Sequence, residues 1–89
     1  MNIDMDKLFI FPNPATNSLY VEIMSSKETE SNITIHTIKG VKVIEITLKL
    51  DEGITSFSID TKGLATGTYL FKLITPYLIF PTEKFNVQR

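Results

Sequence analysis

Residues 11–19 read FPNPATNSL, a proline corner followed by the start of an alternating strand. A proline holds φ at about −65° and lacks a backbone N–H, and it also holds the preceding residue in an extended conformation. The corner cannot continue the hydrogen-bond ladder of a central strand, so the chain must turn here. Beyond the corner, Leu19, Val21 and Ile23 occupy every second position, which is the pattern of a strand with one buried face.

Short runs of β-branched and aromatic residues recur along the chain at intervals of about 8–12 residues, which is typical of all-β sandwiches and barrels. No segment has the apolar spacing of an amphipathic helix. About seven strands are expected, at residues 7–11, 19–24, 32–38, 41–50, 54–60, 69–73 and 84–88. The sequence therefore predicts an all-β fold, an immunoglobulin-like antiparallel β-sandwich.

The third and fourth expected strands carry two further signals. Lys39-Gly40 lies between them and predicts a tight hairpin turn. The apolar residues of the fourth strand change phase at Val43-Ile44, which predicts either a β-bulge or apolar cover on both faces. Earlier in the chain, the polar run of residues 25–31 is expected to be a solvated connection.

The composition limits what the protein can do. With 89 residues, 43% of them hydrophobic, the chain can form one core and no second domain. A formal net charge of −1, with scattered lysines, gives no basic stripe for nucleic acid or an anionic membrane. The absence of cysteine excludes disulfides and thiolate chemistry. No apolar stretch reaches the roughly 18 residues that span a bilayer, so the protein is expected to be neither membrane-spanning nor a nucleic-acid binder.

Residues suited to catalysis or metal binding are few. His36 is the only histidine and lies on a mixed strand face, which favours a half-exposed packing residue over a catalytic base. No Gly-x-Ser-x-Gly turn is present to hold a nucleophilic serine. The carboxylates near the turns lack the spacing of a calcium loop: Asp4, Asp6, Asp51 and Glu52. We therefore expect no enzyme activity, no catalytic or metal site and no cofactor.

Four blocks of the sequence, taken in order, resemble one known family. They are FPNPAT at residues 11–16, IHTIKGVKV at 35–43, Ile59-Asp60 followed by Leu64-Ala65, Gly67 and Tyr69, and KFNVQR at 84–89. In order and spacing they resemble the type A C-terminal sorting domain of the type IX secretion system of Bacteroidota. One departure is PYLIFP at residues 76–81, where that family usually has a polar hairpin. These apolar residues either pack onto the edge of the sandwich or form an exposed docking patch.

The resemblance implies a function in protein export. Residues 8–89 would form a single sorting domain, and residues 1–7 would be a leader, a linker or residues added to the natural chain. The domain would direct an upstream cargo domain of the same precursor across the outer membrane, to the cell surface or the medium. Its partners would be the outer-membrane machinery, namely a translocon, a shuttle barrel and a sortase-like peptidase that later removes the domain. Such cleavage would fall near Asp6 or Lys7, before the first strand.

Recognition residues are expected within the same blocks. The corner would present a fixed backbone, residues 84–88 would offer unpaired N–H and C=O groups to a receptor strand, and basic residues would steer binding. The expected set is Pro12, Asn13, Pro14, Gly67, Tyr69, Lys84, Phe85, Val87 and Arg89. The alternative is an immunoglobulin- or fibronectin-like accessory module that binds carbohydrate or protein through exposed aromatic residues such as Tyr20 or Tyr77.

Overall fold

The computed structural model describes residues 6–12 and 14–88, which form eight β-strands joined by turns. The strands are β1 (Lys7–Phe11), β2 (Ser18–Ser25), β3 (Thr29–Thr37), β4 (Lys42–Leu50), β5 (Gly53–Asp60), β6 (Gly67–Thr75), β7 (Leu78–Ile79) and β8 (Glu83–Val87). Every expected strand is present, β7 is an additional short one, and the described residues contain no helix. The prediction of an all-β fold is confirmed.

The strands form two antiparallel sheets with one core between them. The smaller sheet has three strands in the order β1-β2-β5. The larger has five, in the order β4-β3-β6, with β7 and β8 both paired to the outer side of β6. Buried apolar side chains from both sheets form the core: Ala15, Leu19, Val21, Ile23, Ile33, Ile35, Leu50, Ile59, Tyr69, Phe71, Leu73, Phe80, Phe85 and Val87. The β-sandwich is confirmed, and its immunoglobulin-like topology stays a prediction.

The core follows from the alternation of side chains along each strand. On β2, Leu19, Val21 and Ile23 have no exposed surface, while the residues between them are half-buried on the other face. The alternate residues of β6 from Tyr69 to Leu73 are buried in the same way, as expected. Burying an apolar side chain of this size contributes about 1.5–3 kcal/mol relative to exposure, so these positions dominate the stability of the domain.

The pairing of β3 with β4 has one irregularity. Ile35 lies opposite Ile44, but the next residue, His36, lies opposite Lys42. Val43 is therefore an extra residue on β4, which makes the pair bulge at this point. The β-bulge predicted near Val43-Ile44 is confirmed.

The connection between β2 and β3 is shorter than the sequence predicts. A solvated connection over residues 25–31 is wrong at both ends of that run, because strand pairing continues into it from each side. Ser25 and Ser31 are buried, and each hydroxyl donates to a backbone carbonyl, that of Lys27 at 2.6 Å and that of Leu48 at 2.7 Å. A small polar side chain can be buried when its hydrogen bond is satisfied. A prediction from polarity alone therefore misplaces the ends of these strands.

Residues 76–81 combine the two alternatives that the sequence leaves open. Phe80 is 4% exposed and belongs to the core, and its N–H donates to the Leu73 carbonyl at 3.0 Å. Leu78 packs against the core from β7. Ile79, on the same short strand, is 73% exposed. The segment is thus partly an edge cover and partly an exposed apolar surface.

Candidate recognition surface

The four sequence blocks meet at one end of the sandwich. In the smaller sheet, β1 and β5 end there and β2 begins there. In the larger sheet, β3 and β8 end there, while β4 and β6 begin there. A bridge between Ala15 and Val87 shows that both sets of strand ends lie together. We call this surface the motif end and define it as Pro12, residues 14–17, 38–41 and 61–66, and Gln88.

Backbone hydrogen bonds join the corner to the last strand. Ala15 is fully buried, its N–H donates to the Asn86 carbonyl at 2.8 Å, and its own carbonyl accepts the Gln88 N–H at 2.9 Å. A parallel bridge to Val87 results. The expectation that residues 84–88 leave their outer edge unpaired is therefore wrong for the C-terminal part of that segment, because the chain's own corner already occupies it.

The corner is also tied to the connection between β5 and β6. Thr61 is fully buried, its N–H donates to the Asn17 carbonyl at 2.9 Å, and its hydroxyl donates to the Thr16 carbonyl at 3.2 Å. Its carbonyl accepts the Leu64 N–H at 3.0 Å. Buried polar groups that have partners of this kind hold the backbone in one arrangement. The proline corner is thus fixed from two sides.

The turn between β3 and β4 completes the motif end. Gly40 has a φ of 95°, a left-handed conformation that glycine adopts without strain. Its N–H donates to the Thr37 carbonyl at 2.9 Å, so the tight turn predicted at Lys39-Gly40 is confirmed. The two apolar residues on either side of the turn, Ile38 and Val41, are 59% and 60% exposed.

Two shallow grooves run along residues 66–68. The first, of about 400 Å³, separates this segment from the β3–β4 turn and is lined by Ile38 and Val41. The second, of about 300 Å³, separates it from residues 86–88. Sequence reasoning missed the two exposed apolar residues as part of a surface. The available signal is their place beside a turn, where no core position exists for them.

Three of the expected recognition residues belong to the core. Tyr69 is 6% exposed, and its hydroxyl donates to the Ala65 carbonyl at 2.7 Å. Its ring stacks on that of Phe85, with the centroids 5.8 Å apart, and Val87 is buried beside them. A tyrosine that bonds back to the preceding connection in this way forms the tyrosine corner of β-sandwich domains. These side chains are packed inside the sandwich beside the motif end.

The other expected recognition residues differ in exposure. Gly67 is half-buried, and an added Cβ would have only ordinary contacts. Asn13 and Arg89 lie outside the described residues. The remaining three are exposed and accessible to a partner: Pro12, Pro14 and Lys84.

Asp6, which precedes β1, lies at the opposite end of the sandwich. β1 runs from there to the corner. The Asp6 carboxylate accepts the N–H of Ser26 at 2.9 Å and the Ser26 hydroxyl at 3.2 Å, which fastens the start of β1. We call this surface, with the β2–β3 connection and residues 76–82, the Asp6 end.

Residues 9–87 match the family described as the secretion system C-terminal sorting domain. The chain belongs to this family. Such domains are the C-terminal signals of type IX secretion, so this sorting domain directs cargo through the outer membrane to the cell surface or the medium. The resemblance and the function inferred from it are confirmed, and the accessory-module alternative is not favoured. A search of curated proteins found no match.

The sorting domain offers few groups for chemistry. Its described residues contain no group of three or more His, Cys, Asp or Glu side chains that could hold a metal ion. His36 is half-buried on β3, and its Nδ1 has no hydrogen-bond partner. Among the residues described, no helix is long and apolar enough to cross a membrane. The family itself is a sorting signal and not a catalytic one.

The pKa of Glu45, near the motif end of the sorting domain, is shifted from its ordinary value. Lys42 follows the β3–β4 turn, and its Nζ lies 2.6 Å from Oε1 of Glu45. Hydrogen bonds from Lys42 and from Asn32 stabilise the charged form and lower the pKa of the Glu45 carboxyl below its ordinary value. Both charged side chains are exposed, so the pair adds little to stability.

Proposed function

We propose that the secretion machinery recognises the sorting domain at the motif end. The observation that supports this most is that blocks from both ends of the sequence lie on one surface and bond to each other. The exposed contacts are Pro12 and Pro14 of the corner and Ile38 and Val41 of the turn. A partner that binds this surface contacts the fixed backbone of the corner and the turn together with a few apolar side chains.

The buried members of the recognition set act indirectly. Tyr69, Phe85 and Val87 fix the positions of β6 and β8, and β8 in turn holds the corner through its bonds to Ala15. Lys84 is exposed on β8 and supplies positive charge at the rim, where charges steer a partner more than they add affinity. Asn13 and Arg89 complete the set by their place in the first and last blocks.

The cargo is attached at the end opposite to the recognition surface. Residues 8–89 make up the sorting domain, and residues 1–7 link it to the upstream cargo domain, with Lys7 already paired in β1. Asp6 lies at the far end of β1 from the corner, so a cargo joined there begins away from the motif end. This arrangement suits one signal that serves cargoes of unrelated shape.

Cleavage follows translocation. The partners are the translocon, a shuttle barrel and a sortase-like peptidase, which removes the domain as the cargo is attached to surface lipopolysaccharide or released. β1 pairs with β2 over its whole length, from Lys7 to Phe11. Because hydrogen-bonded backbone resists proteolysis, the cut falls near Asp6, ahead of β1. Mass spectrometry of the secreted cargo checks this, and cargo that retains residues 8–89 would contradict it.

A secreted reporter tests recognition at the motif end. It carries an export signal at its N-terminus and residues 8–89 at its C-terminus, in a host with a working type IX system. We expect Pro12→Ala combined with Pro14→Ala to leave most of the reporter in the periplasm. The matched control is Pro76→Ala combined with Pro81→Ala, since these prolines are also exposed but lie at the Asp6 end. The control should be secreted normally.

A second pair of variants separates recognition from folding. Ile38→Ser combined with Val41→Ser changes only side chains that are more than half exposed, so the fold should be kept. Ile79→Ser, at 73% exposure, is the control at the other end. Loss of secretion from the first variant alone, with unchanged unfolding in urea, supports the proposal. Equal secretion from all these variants would overturn it.

A further inference from the structure

One of the bonds that hold the proline corner comes from a side chain. Ala15 is bonded to the last strand through backbone groups, and the Asn17 carbonyl accepts a backbone N–H. The Thr16 carbonyl, which lies between them, accepts the Thr61 hydroxyl at 3.2 Å. Every residue except proline supplies a backbone donor, whereas a short hydroxyl donor requires serine or threonine. The bond to Thr16 therefore depends on which residue stands at position 61.

The backbone of Thr61 is fixed without the help of its side chain. It directly follows β5, whose last residues pair with the start of β2. On its C-terminal side, the Lys62 N–H donates to Oδ1 of Asp60 at 2.8 Å. The Leu64 N–H donates to the Thr61 carbonyl at 3.0 Å. Because a β-branched side chain has few rotamers, a fixed backbone also fixes the direction of the hydroxyl.

The acceptor of this bond lies outside the strands. Thr16 stands between the bridge at Ala15 and the start of β2, and it is an exposed residue. A carbonyl that loses its donor at such a position can bond to water instead, and the backbone around it then becomes free to move. Pro14, just before Ala15, is exposed at the corner. Loss of the Thr61 hydroxyl should therefore loosen the exposed corner without opening the sandwich.

We propose that Thr61 is a positioning residue of the sorting signal. Its hydroxyl holds the Thr16 carbonyl, and with it Pro14, in the arrangement that the secretion machinery binds. Thr61 has no exposed surface, so it acts through the corner and not by contact with the partner. The inference rests on the proposed recognition at the motif end. The apparent affinity for a partner falls with the fraction of molecules in the binding-competent arrangement, so a buried hydroxyl affects secretion.

Ser31 makes the same kind of bond in another part of the sandwich. It is 3% exposed, and its hydroxyl donates to the Leu48 carbonyl at 2.7 Å. Leu48, however, belongs to β4 and lies directly opposite Ser31 in the β3–β4 ladder. The backbone bonds of the ladder keep that carbonyl in place when the hydroxyl is removed. Loss of the Ser31 hydroxyl should therefore cost at least as much stability as loss at Thr61, but it should release no exposed segment.

Substitutions in the secreted reporter that remove one hydroxyl each, Thr61→Val and Ser31→Ala, test this inference. We expect secretion of Thr61→Val to fall about tenfold, which corresponds to about 1.4 kcal/mol of lost binding. Ser31→Ala should be secreted normally. Thr61→Ser keeps the hydroxyl and should also be secreted normally, even where the missing methyl group lowers its stability in urea. Hydrogen exchange of the Ala15 amide should become faster in Thr61→Val alone, while the amides of β6 keep their protection.

Normal secretion of Thr61→Val would overturn the inference, and so would an equal loss from Ser31→Ala or from Thr61→Ser. If Thr61→Val does not fold, Thr61→Cys replaces it in the same comparisons, because a thiol is a weaker donor than a hydroxyl. Failure of the motif-end proposal is read separately, from the variants at Pro12 and Pro14. If those variants block secretion while Thr61→Val does not, only the Thr61 inference fails. If they are secreted normally, both fail.

Discussion

The two ends of the sandwich are held together by different kinds of bond. At the motif end, backbone groups of segments far apart in the sequence bond to each other, as Ala15 does to the last strand. At the Asp6 end, where the Phe80 N–H still bonds to the Leu73 carbonyl, the contacts between distant segments come from side chains: Asp6 accepts from Ser26, and the Lys27 ammonium lies 4.0 Å from the centroid of the Tyr77 ring. Backbone bonds fix a shape and leave the surface side chains free for a partner. Side-chain bonds fasten one segment to another and can be changed without altering the shape of the sheet.

Phe85→Ala should produce the largest loss of stability, because it removes the side chain that anchors the motif end. Phe85 is fully buried and stacks on Tyr69, so its truncation should lower the free energy of unfolding by about 3–5 kcal/mol. Phe80 is buried near the Asp6 end, outside the regular strands, where neighbouring residues can close the gap, so Phe80→Ala should cost less. Urea denaturation followed by circular dichroism measures both. Equal losses would show that the two ends do not differ in how much a buried aromatic ring stabilises them.

Tyr69→Phe should have an intermediate effect, since it removes a single hydrogen bond at the motif end. The bond from its hydroxyl to the Ala65 carbonyl is 2.7 Å long and partly buried, and losing it should cost about 1 kcal/mol. The matched control is Tyr77→Phe, whose hydroxyl lies 3.4 Å from that of Ser25 on a residue that is 41% exposed. We expect no measurable change from the control in the same urea experiment. A comparable loss from both substitutions would show that the Asp6 end depends on its side-chain bonds equally.

Asp6→Ala should change local opening more than global stability. The substitution removes the acceptor for two groups of Ser26 at the start of β1. Exposed substitutions of this kind shift the free energy of unfolding by less than about 0.5 kcal/mol, but the first residues of β1 should fray. Hydrogen exchange of the β1 amides should become faster, while the amides of β6 keep their protection. Unchanged exchange in β1 would show that pairing with β2 alone holds the strand.

Alternation explains why much of the fold follows from the sequence. Leu19, Val21 and Ile23 predict both β2 and its buried face, and the change of phase near Val43 predicts the bulge. Both signals are local, because the side-chain period of a strand is two residues and a short segment carries it. The same locality explains why the ends of β2 and β3 were harder to place. Ser25 and Ser31 are buried through single hydrogen bonds that their polarity does not reveal.

Pairing between distant segments cannot be predicted in this way. The corner is visible in the sequence because prolines restrict the backbone, but its partner is not, because a backbone hydrogen bond has no side-chain signature. Nothing near Ala15 indicates that it bonds to the last strand and closes part of that edge. The exposed surface of Ile38 and Val41 was missed because these residues continue the apolar pattern of the strands, and only their place beside the turn distinguishes them.

The smallest effect is expected at Lys42 and Glu45, an exposed side-chain pair beside the motif end. The pKa of Glu45 is lowered in the folded protein, so its contribution to stability is present above the pKa of the unfolded chain and is lost as the pH falls through the folded-state pKa. An NMR titration should find the pKa of Glu45 below the ordinary value for glutamate, and Lys42→Met should raise it. The unfolding midpoint in urea at neutral pH should not change, because solvent screens both side chains.

A measurable loss of stability from Lys42→Met would have a consequence beyond the ion pair of Lys42 and Glu45. It would mean that an exposed side-chain contact helps to hold the β3–β4 turn, next to Ile38 and Val41. The motif end would then depend on an exposed side-chain bond, as the Asp6 end does, in addition to its buried ones. In that case surface substitutions would change the shape of the motif end, and recognition would depend on charged side chains as well as on the backbone and the exposed apolar residues.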